Sequence, residues 1–128
     1  MDKKIIAGAA ILGATGIILG AFGAHALKEK LEPEMLAVFE TGVKYQMYHA
    51  LFLLFAGITG LVTPKGKKAI LMLVATGVLL FSGSLYLLAC NSMFSFDFKK
   101  IGFITPVGGL LLIAAWVVLF LQIIKTKR

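Results

Sequence analysis

The chain has 128 residues, of which 59% are hydrophobic and only 15% are charged, and its net charge is +7. Ordinary soluble domains contain about 25% charged residues, because they need a polar surface that this composition cannot supply. The composition therefore excludes a soluble enzyme, a nucleic-acid-binding protein and a disordered protein. It indicates a chain whose main partner is the lipid bilayer.

The apolar residues are concentrated in four stretches that contain no charged side chain, and each could cross a hydrocarbon core of about 30 Å as a helix. These predicted spans cover residues 5–27, 45–62, 69–90 and 101–124. They predict an all-α fold, an integral membrane four-helix bundle that forms a single transmembrane domain over residues 1–128.

The connection between the first two spans has a helical pattern of its own. Pro33 suits the first turn of a helix, and Glu34 is favourable beside the N-terminal end of the helix dipole. Met35, Leu36 and Phe39 then recur at helical spacing. We therefore predict a short amphipathic helix over residues 33–41, lying in the membrane interface and ending near Gly42.

The first span is rich in small residues, and Gly16 and Gly20 form a GxxxG pair. Small residues allow helix backbones to approach closely in lipid, where no hydrophobic force drives helices together. The pair has two interpretations. It serves either close packing within the chain or a homo-oligomer formed through Gly16 and Gly20.

The positive charges are a topology signal. With four spans, the N-terminus, the second loop and the C-terminus share one side of the membrane, which carries eight Lys and Arg residues against five on the other side. The eight are Lys3, Lys4, Lys65, Lys67, Lys68, Lys125, Lys127 and Arg128. The positive-inside rule then predicts a plasma membrane protein with both termini in the cytoplasm.

The N-terminal segment has a competing interpretation as a signal peptide that is cleaved near Ala24-His25-Ala26. The apolar run before this site is longer than the usual 7–15 residues of such a segment. The run is also rich in glycine at spacings typical of helix packing. A transmembrane helix is therefore the favoured interpretation.

The polar side chains of the spans are predicted to gather in one half of the membrane. With a rise of 1.5 Å per residue, His25 lies about 3 Å and His49 about 6 Å from the same interface. Under the predicted topology, this half faces the outside. We predict a pocket there lined by His25, Tyr45, His49, Ser82, Tyr86 and Thr105.

Three functions are consistent with this pocket. The first is a non-catalytic membrane protein that binds a lipid, a quinone or a partner helix. The second is a membrane enzyme or redox protein that uses His25 and His49 as a base or as metal or haem ligands, and the third is a small transporter. The sequence contains no HxxxH, CxxC or GxSxG motif, so we assign no catalytic residue, no metal ligand and no cofactor.

Four segments also resemble the signatures of a known family. They are GAFGAHAL at residues 20–27, FETGVKYQMYHAL at 39–51, FSGSLY at 81–86 and ITPVGG at 104–109. In this order, they are similar to the DUF423 family, also called UPF0382, which includes transmembrane protein 256. The resemblance implies a four-helix integral membrane protein of uncharacterised function.

Overall fold

The computed structural model describes residues 2–95 and 97–126. Its long helices are α1 (Asp2–Phe22), α2 (Pro33–Ile58), α3 (Pro64–Ala89) and α4 (Ile104–Lys125). One π-helical turn, Gly23–Leu27, continues α1, and two 3-10 turns, Asn91–Met93 and Phe98–Ile101, connect α3 to α4. The described residues contain no strand, and the predicted all-α, four-helix fold is confirmed.

Three helical segments are long and apolar enough to cross a membrane, namely Asp2–Leu27, Pro64–Ala89 and Phe98–Lys125. They correspond to the predicted spans 5–27, 69–90 and 101–124. α2 is as long as α3 but is not among these three segments, and its first half and middle carry the charged residues Glu34, Glu40 and Lys44 and the polar residues Gln46 and His49. Gln46 and His49 are buried in the bundle, whereas Glu34, Glu40 and Lys44 are exposed.

Consecutive helices are packed as neighbours, α1 on α2, α2 on α3 and α3 on α4. The α1–α2 register is antiparallel and regular. Gly23 faces Phe39, and a Cβ on Gly16 would lie 2.6 Å from the sulfur of Met47. Gly20 lies against α2 in the same way. The GxxxG pair Gly16 and Gly20 is therefore used for close packing within the chain.

The predicted short interfacial helix over residues 33–41 is not a separate element, and this part of the prediction is wrong. α2 runs without interruption from Pro33 to Ile58, so it begins twelve residues before the predicted span. Gly42 does not end a helix, because it lies inside α2. Its missing side chain instead makes room for the Tyr86 ring, which a Cβ would approach to 2.7 Å.

Polar contacts join the helices at the end of the bundle that holds the N-terminus. The buried Lys67 Nζ donates to Asp2 Oδ1 and to the Gly57 carbonyl, both at 2.8 Å, and so links α3 to α1 and α2. The Gln122 side-chain oxygen accepts from the Thr63 amide and hydroxyl at 2.9 Å, which links α4 to the same end. The starts of α1 and α3 and the end of α4 therefore lie together.

The core and the outer surface of the bundle are both apolar. Leu53, Ile70, Val74 and Ala115 are fully or almost fully buried where the helices meet. Large apolar side chains are also exposed around the outside, among them Ile17, Ile18, Leu79, Ile113 and Phe120. Apolar side chains both in the core and on the outside of the bundle are expected where the surrounding solvent is hydrocarbon.

Candidate functional site

Gln46 is the most highly connected polar side chain of the bundle interior, and only 4% of it is exposed. Its amide nitrogen donates to the Leu12 carbonyl at 3.0 Å and to the Thr15 hydroxyl at 2.7 Å. Its amide oxygen accepts from the Tyr86 hydroxyl at 2.6 Å. A single side chain on α2 thus joins α1 and α3 through a set of hydrogen bonds that we call the Thr15–Gln46–Tyr86 network.

A groove between α1 and α3 exposes this network. α2 separates α1 from α3 over most of their length and forms the floor of the groove, which has a volume of about 450 Å³. Thr15, Gln46 and Tyr86 line it. The remaining wall is apolar and includes Gly8, Leu12, Leu71, Ala75, Leu79 and Gly83. We call this cavity the α1–α3 groove.

The groove differs in position from two other cavities. One of about 510 Å³ lies beside Thr63 and Gln122, and one of about 310 Å³ lies beside Lys30 and Asn91. Both are at the ends of the bundle, next to the connections between helices. Of these three cavities, only the α1–α3 groove runs along the transmembrane helices.

His49 lies on another face of α2, and both of its ring nitrogens are engaged. The Trp116 indole N–H donates to Nε2 at 3.1 Å, so Nε2 carries no proton. The neutral ring then has its proton on Nδ1, which lies 2.7 Å from the Tyr45 carbonyl and donates to it. This arrangement links α2 to α4 and leaves no free nitrogen on His49 for a metal or a substrate.

Aromatic rings surround His49 and extend toward α3. The Phe52 and Trp116 ring centroids are 4.2 Å apart, and those of Tyr45 and Phe81 are 5.0 Å apart. Tyr45 also stacks on the imidazole, at a centroid distance of 6.5 Å. Tyr45 therefore supports His49 and remains partly exposed on the outer surface.

Ser82, Ser84 and Thr105 connect helices rather than line the groove. The buried Ser82 hydroxyl donates to the Gly42 carbonyl at 2.7 Å and ties α3 to α2. Ser84 and Thr105 share a hydrogen bond between their hydroxyl groups and tie α3 to α4. Such bonds contribute about 0.6 kcal/mol each in membrane proteins, and their contributions combine over the bundle.

His25 is separated from all of these groups. It is exposed on the π-helical turn and makes no hydrogen bond or ring contact with residues 2–95 or 97–126. Gly13 of α1 contacts Ala50, the neighbour of His49, and His25 lies twelve residues further along the chain on the π-helical turn, about 18 Å of helix away. His25 and His49 therefore lie at different levels of the bundle and not at the similar level that the sequence predicts, because α2 begins at Pro33 and not at Tyr45.

The structure thus divides the six predicted site residues. Tyr86 lines the groove, Tyr45 and His49 form the aromatic contact with α4, Ser82 and Thr105 bond neighbouring helices, and His25 lies apart. Gln46, Thr15 and Trp116 are not among the site residues predicted from the sequence. Trp116 had a usable signal, since tryptophan is enriched at membrane interfaces and this one lies in the middle of a span. In the described ranges 2–95 and 97–126, no three His, Cys, Asp or Glu side chains are placed to hold a metal ion.

Comparisons with known proteins agree with the four signatures. A family described as "Protein of unknown function (DUF423)" matches residues 19–109. A UPF0382 membrane protein of Staphylococcus haemolyticus is 42% identical over 106 residues, which cover 83% of each chain. No solved structure matches the chain.

Relatives occur in distant bacteria. The UPF0382 membrane protein YwdK of Bacillus subtilis is 39% identical over 127 residues and covers 90% of this chain and 94% of its own. The UPF0382 inner membrane protein YgdD of Escherichia coli is 34% identical over 126 residues, covering 94% of this chain and 88% of its own. The chain belongs to the DUF423 family of UPF0382 membrane proteins.

Proposed function

We propose that this membrane protein is a non-catalytic binding protein, which holds one lipid-soluble molecule in the α1–α3 groove. The observation that carries the proposal is a cavity of about 450 Å³ that runs along transmembrane helices and has hydrogen-bonding groups on its inner wall. Ligand sites are typically apolar clefts with a few well-placed polar groups. The Thr15–Gln46–Tyr86 network supplies those groups here.

Small residues keep the groove open. Gly8 and Gly83 line it on opposite helices, and a Cβ on Gly83 would meet no atom within 4 Å. Other glycines of α3, such as Gly66 and Gly77, are in close contact with side chains of α4. Gly83 therefore leaves space for a ligand, whereas Gly66 and Gly77 leave space for the neighbouring helix.

Two alternative functions receive less support from the geometry. A metal or haem site shared by His25 and His49 needs both imidazoles at one point, and they lie at different depths with both His49 nitrogens bonded. A transporter needs a polar path that continues to the cytoplasmic end. Polar contacts of Lys67 and Gln122 draw the helices together at that end.

Filling the groove should abolish binding. Gly83→Leu places a side chain in the groove, at a position where an added Cβ would meet no atom within 4 Å. We expect native mass spectrometry of the purified wild-type chain to show one co-purified lipid-soluble molecule, and Gly83→Leu to lose it. The identity of the molecule follows from the mass of the adduct.

Thr76→Leu is the matched control, since Thr76 is exposed on the same helix but does not line the groove. This variant should retain the adduct of the wild-type chain. An adduct present equally on wild-type, Thr76→Leu and Gly83→Leu chains would mean that lipid binds elsewhere. That result would overturn the proposal.

We also propose that the protein lies in the plasma membrane with both termini in the cytoplasm. Described lysines at the end of the bundle that holds the N-terminus support this orientation by the positive-inside rule. They are Lys3, Lys4, Lys65, Lys67, Lys68 and Lys125. Lys127 and Arg128 belong to the same predicted cluster and lie outside the described residues. The Escherichia coli relative is named an inner membrane protein, which supports the location.

The orientation predicts how reporters behave. A fluorescent protein fused after Arg128 should fold and fluoresce, since it stays in the cytoplasm, and alkaline phosphatase fused there should be inactive. Insertion of the same reporters in the connection between α2 and α3, after Gly60, should give the same pattern. An active phosphatase at Arg128 would reverse the assignment.

A further inference from the structure

The hydrogens of the Thr15–Gln46–Tyr86 network can be assigned without ambiguity, because two of its bonds end on backbone carbonyls. The Leu12 and Ile11 carbonyls can only accept, so the Gln46 amide nitrogen and the Thr15 hydroxyl donate to them. Thr15 then accepts the second amide hydrogen of Gln46. The Gln46 oxygen is left to accept from the Tyr86 hydroxyl.

This assignment uses every hydrogen that the network has. Both Gln46 amide hydrogens, the Thr15 hydroxyl hydrogen and the Tyr86 hydroxyl hydrogen point at partners within the protein. What remains is lone-pair capacity on oxygen, since an amide or hydroxyl oxygen can accept more than one bond. The inner wall of the groove therefore offers acceptors and no free donor.

We infer that the ligand of the α1–α3 groove is a lipid-soluble alcohol or phenol, whose hydroxyl group donates to the Thr15–Gln46–Tyr86 network. A quinone carbonyl, an ether or an ester would find no donor there, and binding it would require one of the protein's own hydrogen bonds to break. The inference rests on the proposed function and specifies the chemical class of the ligand.

The shape of the groove also orients the ligand. Its wall follows α1 from Gly8 to Leu19, about 16 Å of helix, and the network lies toward the end of α3 that carries Tyr86. The part near Gly8 and Leu71 is apolar. A long ligand therefore places its hydroxyl group at Tyr86 and its hydrocarbon tail toward Leu71.

Two probes that differ in one hydrogen-bond donor test the inference. 1-Dodecanol and dodecyl methyl ether have the same tail, but only the alcohol can donate. Each is titrated into the full-length chain in detergent micelles, and affinity is obtained from the rise in Tm, which follows mass action. We expect the alcohol to bind about three- to tenfold more tightly than the ether.

The Thr15→Val variant sharpens the test, because valine has nearly the same shape and cannot accept a hydrogen bond. One Gln46 amide hydrogen loses its partner and becomes available to the ligand. The ether should then gain affinity, and the preference for the alcohol should shrink. A merely structural role of Thr15 would weaken both probes alike and would contradict the inference.

Gly83→Leu distinguishes the ligand class from the binding site. The probes enter the micelles of this variant as they enter those of the wild type, so a difference in Tm shift between the two chains reports binding in the groove. Equal affinity of wild type for both probes, with no binding to Gly83→Leu, would overturn the alcohol inference and leave the groove as a binding site. Identical Tm shifts in wild type and Gly83→Leu would overturn the groove as well.

Discussion

Replacing Gly108 by alanine is expected to lower the free energy of unfolding by about 3 kcal/mol, the upper end of the usual cost of overpacking. Gly108 lies where α4 meets the backbone of α3. An added Cβ would lie 2.8 Å from the Leu80 carbonyl carbon and 2.9 Å from the Phe81 Cα. Backbone atoms cannot rotate away as a side chain can, so the two helices must separate. Reversible unfolding in mixed micelles, followed by the fluorescence of the single tryptophan Trp116, measures the loss.

Gly83→Ala is the matched control, because it makes the same chemical change in α3. Its Cβ would meet no atom within 4 Å, and alanine favours a helix over glycine by up to about 1 kcal/mol. Gly83→Ala should therefore unfold at the same or slightly higher denaturant concentration than the wild type. Equal destabilisation by the two variants would show that Gly108 is not in backbone contact with α3.

The sequence predicts α1, α3 and α4 well, because charged residues bound long apolar runs and lipid tolerates few charges. The bounds of α2 cannot be predicted in this way, since α2 packs against both α1 and α3 and can bury polar side chains there. Gln46 and His49 find hydrogen-bond partners on neighbouring helices, so they can lie in the interior of the bundle. The start of α2 at Pro33 depends on packing: Phe39 and Gly42 find partners in Gly23 and Tyr86, which no local pattern reveals.

Of the Thr15–Gln46–Tyr86 network, only Tyr86 is among the six site residues predicted from the sequence, and its pairing with Gln46 was not predictable. Polar side chains in the spans indicate that helices are joined by hydrogen bonds. Which residues meet depends on the register of neighbouring helices, and an error of twelve residues in the start of α2 moves His49 away from His25. Tyr86 is the predicted site residue that lines the groove, where its hydroxyl group bonds the side chain of Gln46 from α2.

Most interhelical hydrogen bonds of the described residues have a partner on α2. Gln46 joins α1, α2 and α3, Ser82 joins α3 to α2, and Trp116 joins α4 to His49 on α2. Lipid tails are as apolar as leucine, so helices gain little from hydrophobic burial against each other. Polar bonds and close glycine contacts must supply the specificity. α2 takes part in most of these bonds, which explains why the one long helix that is not among the three apolar segments lies between two others.

Gln46→Leu is therefore expected to cost about 2 kcal/mol of unfolding free energy, since it leaves the Tyr86 hydroxyl without its acceptor. Tyr86→Phe should cost about 1 kcal/mol, and the double variant should cost less than the sum by about 1 kcal/mol, because neither group is then left unpaired. Tyr48→Phe, which removes a hydroxyl from an exposed ring, should be neutral. The same Trp116 unfolding assay in mixed micelles measures all four variants. Strict additivity of Gln46→Leu and Tyr86→Phe would mean that the two side chains are not bonded, and the inner wall of the groove would lose the arrangement on which alcohol recognition depends.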